Sequence, residues 1–186
     1  MSTVELELEI DGLQRELAGI EQRIYEKMLP KINAKRNAAR QEFEKFFTDF
    51  GLTVQHTSGQ IHYDGKNYSE DIVTATKGGV KYELRMPDLC VDYVGAYTVL
   101  TLSQGTKSEF KVGIKSTMKR FRSLTYGAAN NSEVEKLRVN VKILKEHIEE
   151  VKKRESNLDN TSAIYTTKNL ESEYESFTDI LKEFTK

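Results

Sequence analysis

Apolar residues recur along the first part of the chain at alternating steps of four and three residues. They are Leu6, Ile10, Leu13, Leu17, Ile20 and Ile24. This spacing puts one apolar side chain per turn on a single stripe, which predicts a helix with the heptad seam of a coiled coil. Ser2 and Glu5 have the capping-box spacing of a helix start. We expect Pro30 to kink or break the helix near Met28, and Gly51 to end it.

The pattern changes over residues 51–114, where β-branched and aromatic residues become frequent and turns containing Gly recur. Asp64-Gly65 suits the primed turn of a two-residue hairpin. Two more hairpins are predicted, with turns at Lys77-Gly78-Gly79 and at residues 103–106, so five or six short strands should form an antiparallel β-meander. Candidates for its core are Val54, Ile61, Tyr63, Ile72, Val80, Tyr82, Leu84, Val99, Leu100, Leu102, Phe110 and Val112.

Helical spacing returns in the last third of the chain. Ser132 and Glu135 form a second capping box, and residues 115–131 before it are predicted to be a short basic helix and a loop. The next seam consists of Val134, Leu137, Val141, Leu144, Ile148 and Val151. A third heptad run consists of Leu170, Tyr174, Phe177, Leu181 and Phe184. These runs predict two C-terminal heptad helices over 132–186.

The predicted fold class is therefore α+β, with long N-terminal and C-terminal heptad helices flanking a central antiparallel β-meander. The N-terminal helices cover 1–50 and the β module covers 51–114. Burying one Leu or Ile contributes roughly 1.5–3 kcal/mol, so the seams must pack against each other or against another chain. A helical bundle within the chain and a symmetric oligomer with paired helices are both open.

Composition agrees with long helices that have a narrow apolar stripe. Charged residues make up 31% and hydrophobic residues 38% of the chain, with a formal net charge of -1. The one cysteine, Cys90, cannot form an internal disulfide, and the acidic N-terminus does not resemble a signal peptide. No stretch is apolar enough for a membrane span. We therefore expect a cytoplasmic protein that does not act at a membrane.

Two basic stretches, 27–45 and 107–122, stand out against the near-zero net charge. Clustered cations can bind phosphates and aromatic rings can stack on bases, so these stretches suggest a nucleic-acid or anion site. Its candidate residues are Lys35, Arg36, Arg40, Lys111, Lys115, Lys119, Arg120, Arg122 and Tyr126. The alternative is a set of solvated or salt-bridged helix faces.

A second candidate site resembles the PD-(D/E)xK nucleases. Asp88 follows Pro87, and Glu109 lies two residues before Lys111. In that family, two carboxylates hold Mg²⁺ and the lysine assists the attacking water, so the resemblance implies a metal-dependent nuclease with Asp88, Glu109 and Lys111 in these roles.

The leading interpretation is a non-enzymatic binding protein without a metal or other cofactor. Its helices would join copies of the chain, and its β module would contact another protein. The oligomer seam is expected to comprise Ile10, Leu13, Leu17, Ile20, Ile24, Leu137, Val141, Leu144, Ile148 and Val151. A nucleic-acid-binding protein, or a modulator of a nucleic-acid-processing complex, is the second interpretation, and the nuclease is the third.

Overall fold

The structure is a computed structural model that describes residues 2–89, 98–105, 108–117, 132–167 and 172–186. It contains a long N-terminal helix, an antiparallel sheet and C-terminal helices, so the α+β prediction is confirmed. The chain divides into two compact units. Unit 1 comprises Met1–Lys27 and Met118–Thr161, and unit 2 comprises Met28–Thr117 and Ser162–Lys186.

Helix α1 spans Thr3–Asp49 and continues through Pro30, so the helix does not break at that residue, and a kink there stays a prediction. Proline removes one backbone hydrogen bond, but side-chain packing on both sides of it can hold the helix together. Met28 and Ile32 are both fully buried. The helix ends at Asp49, and the predicted stop residue Gly51 follows just beyond it with a φ of 75°, the left-handed conformation that favours glycine.

Five strands follow α1 and form the predicted meander. They are β1 (Thr53–Tyr63), β2 (Lys66–Lys77), β3 (Val80–Pro87), β4 (Thr98–Gln104) and β5 (Ser108–Ser116). Every neighbouring pair is antiparallel. The turn at Asp64-Gly65 has positive φ at both residues, 47° and 73°, which defines the predicted primed hairpin.

The C-terminal part differs from the sequence prediction. Helix α2 spans Glu133–Ser156 and begins at the predicted cap Ser132, and a short 3-10 turn spans Leu158–Asn160. The predicted second C-terminal helix is wrong over most of its length. Strands β6 (Ala163–Thr167) and β7 (Ser172–Tyr174) come first, and only Phe177–Phe184 forms a helix, α3. Within the described ranges, the sheet therefore has seven strands in the order β1-β2-β3-β4-β5-β6-β7.

The reason for this difference is the composition and burial of β6. β-branched and aromatic residues favour strands, and all five residues of β6 are buried. An inner strand of this kind has no polar alternation that would reveal it in the sequence. Leu170, the first residue of the third heptad run, and the predicted basic helix within 115–131 beyond Thr117 lie outside the described residues.

Each unit has its own buried core. In unit 1 the buried apolar residues are Leu6, Ile20, Ile24, Val141, Ile148, Val151 and Leu158. In unit 2, α1 and α3 supply Phe43, Phe47, Phe177, Ile180 and Leu181, and the sheet supplies Val73, Leu84, Leu100, Leu102, Val112, Ile114 and Tyr165. Helix α2 belongs to unit 1 and helix α3 to unit 2. Two predicted core residues, Tyr63 and Val80, are exposed.

Candidate functional site

Alternation along the strands of unit 2 gives the sheet two different faces. The first, which we call the helix face, packs against α1 and α3. Tyr82 stacks on Phe47 of α1 with 4.4 Å between ring centres, and Phe110 lies 6.0 Å from Phe184 of α3. The opposite side, which we call the charged face, includes Lys81, Glu83 and Arg85 of β3, Glu70 of β2, and Glu109 and Lys111 of β5.

On the helix face, Lys35 of α1 contacts the C-terminal segment of unit 2. The buried Tyr165 hydroxyl donates a hydrogen bond to the Lys35 carbonyl oxygen at 2.7 Å. The Lys35 ammonium donates to the Glu175 carbonyl oxygen at 2.7 Å and lies 4.9 Å from the centre of the Tyr165 ring. Burial raises the pKa of Tyr165, and the negative charge of Glu42 raises it further. The tyrosine therefore remains a neutral hydrogen-bond donor.

Arg36 makes a second connection between α1 and the sheet. Its Nη2 donates to the Met86 carbonyl oxygen at 2.9 Å, and its Nη1 lies 3.3 Å from Asp88 Oδ1. The Asp88 backbone N–H donates to the Ser69 carbonyl oxygen at 2.7 Å. Arg36 and Asp88 therefore hold the end of β3 in place.

The charged face has an ion-pair network centred on Arg85. Its Nε lies 2.6 Å from Glu83 Oε1 and its Nη1 lies 3.5 Å from Glu70 Oε2, while Lys81 Nζ lies 3.0 Å from Glu83 Oε2. Glu70 is only 4% exposed. Burial raises the pKa of Glu70 more than Arg85 lowers it. Burial also acts to raise the pKa of Glu83, but its hydrogen bonds with Lys81 and Arg85 outweigh this and lower that pKa.

Opposed pKa shifts of two neighbouring carboxyl groups occur in acid–base catalytic sites and in structural ion-pair networks. Here Arg85 contacts both carboxylates and Lys81 adds a second cation to Glu83. The charges thus balance one another within the sheet, as buried charges require. We assign the network a structural role.

Because burial raises the pKa of Glu70, its ionised form destabilises the fold relative to a neutral side chain. We expect Glu70→Gln to raise the free energy of unfolding at pH 7. The gain should shrink as the pH falls through the raised pKa, since wild-type Glu70 then becomes neutral too. Urea denaturation from pH 7 to pH 4 measures this difference. A gain that stays constant or grows on acidification would contradict it.

The nuclease-like residues are not brought together. Asp88 is bound by Arg36 on the helix face, whereas Glu109 pairs with Ser103 on the charged face. Lys111 lies beside Glu109 on that face, two residues along β5. The two carboxylates therefore lie on opposite sides of the sheet and cannot share a metal ion. Throughout the described ranges, no group of three or more His, Cys, Asp or Glu residues is placed to hold one.

The candidate anion-binding residues are also scattered. Lys35 and Arg36 make the internal contacts described above, and Arg40 lies 3.9 Å from Glu44 on the next turn of α1. The Lys115 ammonium lies 2.9 Å from Glu173 Oε1. Lys111 is exposed on the charged face. The remaining candidates, Lys119, Arg120, Arg122 and Tyr126, lie outside the described residues.

In unit 1, the predicted seam residues lie at the interface of two helices, the first part of α1 and α2. Ile20, Ile24, Val141, Ile148 and Val151 are buried, and Ile10, Leu13, Leu17, Leu137 and Leu144 are partly buried. Three ion pairs join the helices: Glu9 with Lys145 at 2.7 Å, Glu16 with Lys152 at 2.9 Å, and Arg23 with Glu155 at 2.6 Å. Residue numbers rise together along both helices, so the two helices run parallel.

Some of these interactions had a signal in the sequence, and others did not. Lys81, Glu83 and Arg85 alternate along one strand, which is enough to place them on one face. By contrast, Glu42 of α1 accepts hydrogen bonds from Ser176 and Thr178 at the start of α3. No pattern in the sequence around Glu42 indicates this role. The two segments are more than a hundred residues apart.

Comparison with known proteins gives no match, because no family model, curated protein or solved structure matches this chain. Across the part of the chain that the structure describes, none of the helices has the length and apolar character needed to cross a membrane.

Proposed function

We propose that this chain is a non-enzymatic, cytoplasmic protein-binding protein of the scaffold or regulatory kind. It self-associates through its helices and contacts a partner protein through its β module. The observation that carries this proposal is the pair of exposed apolar side chains, Val4 and Leu8, on the outer surface of the helix pair of unit 1. Paired helices of this type commonly serve in association.

The helix pair is a short parallel coiled coil. Glu9 and Glu16 are seven residues apart and directly precede the seam residues Ile10 and Leu17. Lys145 and Lys152 are also seven residues apart and directly follow Leu144 and Val151. Charges that flank the two seam positions in this way pair across parallel coiled coils. In this proposal the heptads pair within one chain, and the outer surface of the helix pair serves association.

That outer surface has two exposed apolar side chains in consecutive turns of α1. Val4 is 63% exposed and Leu8 is 68% exposed, and neither belongs to the seam. Residues four apart on a helix are neighbours, so these two form one small apolar patch. We infer that a helix of another copy covers it.

The double variant Val4→Glu, Leu8→Glu should weaken self-association at least about tenfold, because each contact loses apolar burial and gains a charge. Sedimentation equilibrium of the full chain at micromolar concentrations measures this effect. Val80→Glu is the matched control, since Val80 is 45% exposed and lies in the β module. A monomeric wild-type chain, or an equal effect of the control, would remove self-association through the helices from the proposal.

The partner of the β module is another protein. Exposed Lys111 and the Arg85 network give the charged face both signs of charge, which suits a protein surface. Intact-mass measurement of complexes isolated from cells tests this half. Among the described candidates for nucleic-acid binding, Lys35, Arg36 and Arg40 are engaged in contacts within the chain, which favours a protein partner over the alternative of a nucleic acid.

A further inference from the structure

The two edges of the sheet differ in a way that points to an occupant for one of them. Strand β7 is three residues long and includes the charged Glu173, and short length and charge both protect an edge from pairing. Strand β1 at the other edge has 11 residues. It contains no Lys, Arg, Asp, Glu or Pro, and its register with β2 runs without a bulge. Strand β1 itself therefore lacks the short length, charge, proline and bulge that protect many edge strands.

The hairpin turn determines which backbone groups of β1 face outward. In a two-residue turn, the residues on either side of the turn form a hydrogen-bonded pair, here Tyr63 and Lys66. Hydrogen-bonded pairs then alternate along an antiparallel ladder, so the odd-numbered residues of β1 bond to β2. The even-numbered residues direct their N–H and C=O groups away from the sheet. They are Val54, His56, Ser58, Gln60 and His62.

Most of this outward row is accessible. Of these residues, Val54 is partly buried and the other four are exposed. Within the described ranges, the backbone groups of the row make no hydrogen bond with another segment of the chain. An edge of this length, with its donors and acceptors free, can form a full antiparallel ladder with a further strand.

We propose that β1 pairs with β1 of a second copy of this chain, antiparallel about a two-fold axis at Ser58. Ser58 is the midpoint of Thr53–Tyr63 and also of the outward row. In this register every outward residue faces an outward residue of the other copy, which gives about ten backbone hydrogen bonds. A shift of the axis to either side leaves part of the row unpaired.

A second copy fits this edge because the row is symmetric and uncharged. His56 faces Gln60 of the partner subunit and Val54 faces His62 of the partner subunit, so no like charges of acidic or basic residues meet. All four residues are even-numbered, and the even-numbered residues of β1 point to the helix face of the sheet. The helix faces of the two copies therefore lie on the same side of the joined sheet. This contact surface is separate from the small apolar patch formed by Val4 and Leu8.

Cross-linking at the axis tests the register. In a Cys90→Ser background, Ser58→Cys puts two thiols about 5.5 Å apart between Cα atoms, and a short bismaleimide should convert the full chain to covalent dimer. His62→Cys is the matched control. Its two copies lie eight residues apart along the joined strands, about 27 Å, and should not cross-link. Equal cross-linking of the two variants, or none at Ser58→Cys, would overturn the proposal.

Charge at the axis gives a second measurement. Ser58→Lys puts two ammonium groups face to face and should weaken the dimer at least about tenfold, because like charges directly opposite each other destabilise a strand pair. Ser69→Lys makes the same change one strand inward and should have no effect on the dimer. A Ser58→Lys chain with unchanged sedimentation would overturn the proposal. If the Val4→Glu, Leu8→Glu variant had no effect, the cross-linking and Ser58→Lys tests would still decide the β1 contact, because neither test involves unit 1.

Discussion

Phe47→Ala should lower the free energy of unfolding of the sheet unit by about 3–5 kcal/mol, the usual cost of removing a buried aromatic ring. Phe47 is 1% exposed. Its ring centre lies 4.4 Å from that of Tyr82 on β3 and 4.7 Å from that of Phe43 one turn earlier. The ring therefore joins α1 to the middle of the sheet, and alanine would leave a cavity between helix and strands.

Phe50→Ala is the matched control for this substitution. Phe50 lies three residues further along the chain, just beyond the end of α1, and is 65% exposed, so its loss should change stability by less than about 0.5 kcal/mol. Equilibrium urea denaturation, followed by circular dichroism at one protein concentration, compares the two variants. Equal effects at the two positions would show that Phe47 does not hold the helix against the sheet.

The parts of the fold that the sequence predicts are those determined by neighbours along the chain. The heptad spacing around Leu13 and Leu17 lies within one helix, and Asp64-Gly65 specifies its own turn. Each hairpin of the meander needs only its two flanking strands. For these elements local conformational preference and final packing agree, which is the usual condition for a correct prediction.

The C-terminal strands cannot be predicted from local sequence, because the strand that pairs with them lies far away along the chain. Ile114 of β5 pairs with Tyr165 of β6, and these residues are 51 positions apart. Tyr174 of β7 and Phe177 of α3 also happen to have heptad spacing, which concealed the change from strand to helix. A period of two or 3.6 residues cannot identify a strand that is buried on both faces.

The candidate site also combines features that neighbours along the chain determine with features that distant residues determine. The charged face follows from the alternation of Lys81, Glu83 and Arg85, whereas the burial of Glu70 depends on the whole sheet. The nuclease pattern joins Asp88 and Glu109, which are 21 positions apart, and the pattern alone does not show whether their side chains meet. Strand register, which the sequence does not reveal, puts them on opposite faces.

Glu42→Ala should lower the free energy of unfolding by about 1.5–3 kcal/mol, because hydrogen bonds to a charged group contribute more than neutral ones. Glu42 Oε2 accepts from the Ser176 hydroxyl at 2.8 Å, the Thr178 N–H at 2.6 Å and the Thr178 hydroxyl at 2.7 Å. These donors are at the start of α3, where backbone N–H groups lack helical partners and a negative charge is favourable. The carboxylate thus caps α3 from a different helix.

The stability loss should be accompanied by a local effect that distinguishes the cap from general packing. Thr178 amide hydrogen exchange should accelerate in Glu42→Ala, while Ser176 Oγ still accepts from that amide at 3.1 Å and retains part of the protection. Glu44→Ala is the control, since Glu44 lies two residues away and forms partly exposed pairs with Arg40 and His56, worth less than about 1 kcal/mol. If Thr178 exchanged equally fast in both variants, the carboxylate of Glu42 would not be what orders the start of α3.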